Sequence, residues 1–195
     1  MVPHMMPLRW VLVGAVLSVL GWQSQIEATV VRAMPLAELV GMSEWVVVAT
    51  VQSSRSHYET IGGSRRMVTD TQLLVSEALT PNRSSAGIGS ATITVRTLGG
   101  TVGEVAQLVP GEAVLTSGST QLLFLDDGRG DSVFRVSAMA QGQYPVATDA
   151  DGARKLRPSP GLDVVVNPQQ SAVAVLAGRS VEQARALVNN ARKVP

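Results

Sequence analysis

Residues 44–54 read EWVVVATVQSS, and this stretch decides the fold. Valine and threonine dominate it, and both alternating faces are apolar through Val48. β-branched side chains favour extended backbone, and a strand apolar on both faces needs cover on both sides. The stretch predicts a covered strand inside a β-rich domain.

Further strands follow on its C-terminal side. Residues 67–79, MVTDTQLLVSEAL, alternate well enough to form a partner strand across a long hairpin. The polar stretch between them, RSHYETIGGSRR (55–66), reads as a loop with Gly62-Gly63 at its tip. TPNRSSAGIGS (80–90) is turn chemistry throughout. ATITVRTLGG (91–100) predicts a third strand, with Ile93 and Val95 on one face and Thr92, Thr94 and Arg96 on the other. A glycine-punctuated link (99–119) leads to the strongly apolar TQLLFLDD (120–127). In SVFRVSA (132–138), Phe134, Val136 and Ala138 are expected inward and Arg135 and Ser137 outward. GQYPVATD (142–149) and ARKLRPS (153–159) read as another hairpin.

Helical signals stand at the two ends. In MPLAELVGMS (34–43), Pro35 takes a first-turn position, and Leu36, Leu39 and Val40 recur at helical spacing. In SVEQARALVNNARKV (180–194), Ser180 and Gln183 form a capping-box signature, while Val181, Ala184, Leu187 and Val188 line one face. Arg192 and Lys193 suit the negative end of that helix. LDVVV (162–166) reads as a strand, and SAVAVLAG (171–178) fits strand or helix. Together these elements predict a mainly β chain: a small, mostly antiparallel OB-like barrel, or alternatively a sandwich, with a short N-terminal and a C-terminal helix.

A glycine pattern carries a resemblance. Gly99, Gly100, Gly103, Gly111, Gly118 and Gly142 punctuate the chain, with Leu123, Phe124 and Leu125 in the strand after the fifth. From about Pro35 to Tyr144, together with the C-terminal helix, the chain resembles a loose, mostly uncharacterised set of small exported bacterial proteins. Their domain is an OB-type barrel of the netrin/metalloproteinase-inhibitor kind. The resemblance implies a fold more than an activity. Inhibitory netrin-type domains bind the protease zinc through an N-terminal cysteine, and Thr29 does not match that feature.

The N-terminus predicts export. Arg9 precedes the apolar run WVLVGAVLSVLGW (10–22), which is shorter than the ~20 residues of a comfortable span and suits a secretory signal. Residues 1–28 are read as a signal peptide cleaved between Ala28 and Thr29, the alternative being an uncleaved anchor. Residues 29–195 then form one exported domain, secreted or periplasmic, with its helix at about 180–193 and no stable membrane span. The whole chain carries a net charge of +1, and loss of Arg9 and Glu27 leaves it unchanged. That balance offers nothing for nucleic acid. No cysteine is present, so there are no disulfides, thiolate sites or cysteine nucleophiles. Stability must come from the core.

Candidate sites are few. Arg129-Gly130-Asp131 matches a cell-adhesion tripeptide, but DGRGD joins two strands with residues that tolerate positive φ, and it reads as a hairpin turn, not an integrin site. Asp149, Asp151 and Gly152 resemble the start of a calcium loop, yet Arg154, Lys155 and Arg157 follow where further ligands belong. His57 is the lone histidine of the mature chain, so neither a zinc site nor a catalytic triad is visible. Trp45, Phe124 and Phe134 read as core, leaving Tyr58 and Tyr144 as available aromatics, too few for a polymer-binding platform. These readings predict no cofactor and no enzyme activity. They favour a non-catalytic exported module that binds a protein partner. The expected contact loops hold His57, Tyr58, Arg65 and Arg66, and Gly99, Gly100 and Gly103. Alternatives are an inhibitor of an exported peptidase, a hydrolase, and a structural envelope domain.

Overall fold

The structure is a computed structural model that describes residues 30–79, 91–127, 133–162, 164–166 and 168–193. Strand β1 (Val30–Arg32) and helix α1 (Leu36–Met42) lead into the longest pair of strands, β2 (Trp45–Ile61) and β3 (Ser64–Ala78). These two stay in register out to Ile61 opposite Ser64. The connection is therefore only Gly62-Gly63, with φ of 59° and 79°, as a two-residue turn of right-handed strand twist requires. Register shifts leave Ser76 of β3 and Gln52 of β2 as the extra residues of two bulges, which coil the hairpin.

β4 (Thr92–Leu98) pairs antiparallel with β3, and a small hairpin of β5 (Gly100–Val102) and β6 (Val105–Gln107) follows it. β7 (Thr120–Asp126) takes the other edge of β2. β8 (Phe134–Val136) then lies parallel to β4 and antiparallel to β7, which closes the ring β2–β3–β4–β8–β7. β9 (Gln143–Thr148) pairs with the remaining length of β7, and β10 (Arg154–Leu156) pairs with β9. β11 (Val164–Val166) runs parallel to β1, and helices α2 (Ala172–Leu176) and α3 (Val181–Arg192) end the chain. The chain is mainly β, a small closed barrel flanked by a short N-terminal and a C-terminal helix.

The two apolar faces of residues 45–51 explain the layering. Trp45, Val47, Ala49 and Val51 fill the ring with Leu73, Val75, Val95, Leu123, Leu125 and Val136. Val46 and Val48 face the other way, with Leu122, Phe124 and Tyr144, against Leu39, Val40, Leu176, Ala184 and Val188 of the helices. Two cores thus share one wall. Each fully buried aliphatic side chain contributes about 1.5–3 kcal/mol, so the β2–β7 pair is the structural spine. The capping box of α3 forms as expected, with Gln183 N on Ser180 Oγ at 3.2 Å and Ser180 N on Gln183 Oε1 at 3.0 Å. Among the described residues no helix is long and apolar enough to cross a membrane.

Several expectations need correction. Residues 55–61 and 64–66 are strand, not loop. Both faces of this arm are wet, so no apolar period marks it, and the backbone ladder, with contacts such as the Arg65 guanidinium over Tyr58, holds it instead. Ser137 is buried rather than outward. The strand alternation stops there because Ala138 and Met139 adopt φ of 53° and 55° before a 3₁₀ turn. The link at 99–119 contains the β5–β6 hairpin, and of the two readings open for SAVAVLAG the helical one holds, at Ala172–Leu176. The signal segment, Thr29 and the Arg129-Gly130-Asp131 tripeptide lie outside the described residues, although Asp126 and Arg135 do pair across the last as a hairpin requires.

Candidate functional site

One mouth of the ring opens into a cleft of about 750 Å³, roofed by the 99–115 segment. On its floor, Ser54 and Ser56 of β2 stand opposite Thr71 and Thr69 of β3, with Thr97 of β4 beside them. Alternation along β3 puts Thr69 and Thr71 on the face of the ring interior, and the bulge at Gln52 shifts β2 by one residue so that Ser54 and Ser56 join them. Short hydroxyl side chains here leave space where the residues nearer the ring's centre are aliphatic. The roof is apolar: Leu108, Val109, Pro110, Val114 and Leu115 line the cleft. Among the described lining residues Glu112 alone is ionisable.

The hydroxyls form an ordered ladder. Thr101 N donates to Ser56 Oγ (3.1 Å), Ser56 and Thr69 are 2.8 Å apart, and Thr69 Oγ1 donates to Gly99 O (2.8 Å). Thr69 has one hydroxyl proton, so Ser56 must donate to Thr69, and the direction of the whole rung is fixed. Ser54 and Thr71 form the next rung at 3.0 Å.

Glutamines buried in the wall anchor the roof. Gln143 is fully buried, and its Oε1 accepts from Val114 N (2.9 Å) and from Ser159 Oγ (2.5 Å). Its Nε2 donates to Val114 O and to Gln121 Oε1. One side chain thereby satisfies both backbone groups of Val114, as a strand partner would. Gln141 does the same for the N-terminal segment: it accepts from Met34 N (2.9 Å) and donates to Arg32 O (3.0 Å). Glu112 accepts from Leu98 N (3.1 Å) and from its neighbour Ala113 N (3.0 Å).

The expected contact residues divide between this cleft and the arm. Gly99 and Gly100 form its wall, and Gly103 sits at the open tip of the β5–β6 hairpin with φ of 61°. Tyr58 extends the Ser54–Ser56 face along the arm, and the Arg65 guanidinium lies 4.1 Å over its ring. Arg66 pairs with Glu59 in register. His57 points to the opposite face. Tyr144 is not available: it is fully buried, edge-on to Phe124 at 6.0 Å.

His57 belongs to an ion cluster spanning three strands. Its Nε2 lies 3.7 Å from Glu59 Oε2 and 3.9 Å from Asp70 Oδ2, beside a shallow groove of about 320 Å³. Arg96 grips Asp70 with both prongs, at 2.6 and 2.8 Å, and also pairs with Glu59. The Arg96 hydrogen bonds hold the Asp70 carboxyl below its ordinary range, and Asp70 in turn raises Arg96. So held, the Asp70 carboxylate is a weak base. At 149–152, Asp149 closes a turn with Gly152 and pairs with Lys155 (2.9 Å) and Arg157, while Asp151 accepts from Ala153 N. Among the described residues, no group of three potential ligands is placed to hold a metal ion.

The sequence named Gly99 and Gly100 only as partner-contact loop residues, and it pointed neither to the Ser/Thr floor nor to Gln143. The hydroxyls recur at every second position of two facing strands (54 and 56, 69 and 71), and that alternation was the available signal. No family model matches the chain, and no curated protein or solved structure matches it.

Proposed function

We propose that this chain is a non-catalytic, exported binding module of the OB-like barrel type that engages a protein partner. The hairpin arm carries the reading. β3 leaves β4 at Val68 and β2 leaves β7 at Thr50, yet β2 and β3 stay paired to Ile61 and Ser64. A two-stranded arm with polar faces buries little of its own and suits contact with another chain. The ring order with its parallel β4–β8 closure supports the OB-like reading, in which the loop joining the first two barrel strands is a binding element. That element is the arm. The apolar 10–22 stretch supports export. The His57 cluster favours no second reading, because Arg96 occupies both of its carboxylates.

The test is capture from the native exported fraction by the chain from Thr29, against a variant lacking the Glu59–Arg66 and Thr60–Arg65 pairs. Those deletions keep the turn and the strand parity. A protein captured by the first bait and lost with the second supports the reading. Equal capture by both, or none by the folded parent, overturns it.

A further inference from the structure

The cleft under the roof has the features of a ligand site in its own right. Its volume of about 750 Å³ falls among small-molecule sites, which run roughly 300–1,000 Å³ with mostly apolar walls and a few placed polar groups. The polar groups here are not equivalent. On the Ser56–Thr69 rung the hydroxyl protons are committed, one to Thr69 and one to Gly99 O. Ser54 and Thr71 share one bond between two hydroxyls, so that rung keeps one proton for an outside acceptor.

Charge narrows the ligand class. An anionic head finds no cation among the described lining residues. A cationic head would compete with the amides of Leu98 and Ala113 for Glu112. On the roof, Leu108 is 87% exposed and Val114 is 43% exposed, both lining the cleft. Leaving such side chains in water is unfavourable, and an apolar body laid against them relieves it.

We propose that this cleft binds an uncharged amphiphile, its carbonyl or hydroxyl head on the Ser54–Thr71 rung and its apolar body against Leu108 and Val114. The site stands on the cleft alone, so it and the protein-partner reading fail or succeed separately.

Titration of the whole mature chain with the neutral fluorophore Nile red tests it, followed by displacement with decanamide, decanoate and decylammonium. Saturable binding of one dye per chain is expected, with decanamide displacing it at ~tenfold lower concentration than either charged analogue. Leu108→Asp should weaken dye binding ~tenfold with an unchanged melting temperature, because that side chain packs on little else. Ser54→Ala should shrink the advantage of decanamide. Absence of saturable binding, equal displacement by the charged analogues, or indifference to Leu108→Asp overturns the proposal. A Ser54→Ala variant that keeps the full decanamide advantage overturns the head-group assignment.

Discussion

Gly100 stands against Ser56 with no room for a side chain between them: a Cβ on Gly100 falls 2.9 Å from Ser56 Cβ and nearer still to the hydroxyls of Ser56 and Thr69. The roof lies this close to the floor because residue 100 has no side chain, and its φ of 129° is one that other residues rarely adopt.

Gly100→Ala should therefore cost about 2–4 kcal/mol and lift the roof, since backbone strain and a steric clash act together. Denaturant unfolding measures the first effect, and faster amide exchange at Thr101, which donates to Ser56, measures the second. Gly103→Ala is the control. Its φ is also positive, but nothing lies within 4 Å, so only the conformational penalty of about 1 kcal/mol remains.

Gln143→Leu removes the side-chain partners of the part-buried Val114 N and Val114 O and the acceptor of the buried Ser159 hydroxyl. Each unsatisfied buried group costs about 1–3 kcal/mol, so a total of about 3 kcal/mol is expected after relaxation, seen as a lower urea midpoint. Gln143→Glu loses the donor to Val114 O and should fall in the same range. A loss below half a kcal/mol would mean that the roof is held elsewhere.

Asp70 gives the acid limb of stability a defined origin. Its carboxyl titrates below its ordinary 3.8 in the fold because Arg96 hydrogen-bonds the ionised form. The unfolded chain takes up that proton first as pH falls. The contribution is whole above pH ~4 and disappears as pH drops through the lowered folded value. Asp70→Asn should cost about 1 kcal/mol at neutral pH and flatten the loss of stability below pH ~4, read from urea midpoints against pH. An unchanged acid limb would assign it to other carboxylates.

Tyr144 carries a buried hydroxyl without a hydrogen-bond partner, and burial pushes its ionisation well above the usual phenol range. Tyr144→Phe should leave stability unchanged or raise it by up to about 1 kcal/mol, because an unsatisfied hydroxyl is lost and the edge-on contact with Phe124 is kept. Tyr144→Ala should cost about 3–5 kcal/mol, and thermal melts of the two variants check both values.

Legibility in the sequence followed how locally each element is determined. Residues 45–51 could be read because both faces of a strand that serves two cores must be apolar. The α3 capping box could be read because its partners lie three residues apart. The arm at 55–66 could not, since a solvated strand carries no burial period and resembles a loop in composition. Gln143 was hidden for a different reason. Its partners Val114 and Ser159 lie 29 and 16 residues away, so its polarity looked like ordinary surface character. Ring closure was equally non-local: β8 joins β4 and β7 through two residue pairs each.

That closure makes the barrel a hoop with a short clasp. β2 and β3 are zipped along fourteen paired positions, but β8 is three residues long. Local opening of the ring is therefore expected first at the β8 seam, measurable as faster amide exchange at Phe134–Val136 than along the β2–β7 pair. The long hairpin would keep its shape while the hoop parts, which gives the ring interior a lateral route to solvent besides its open mouth.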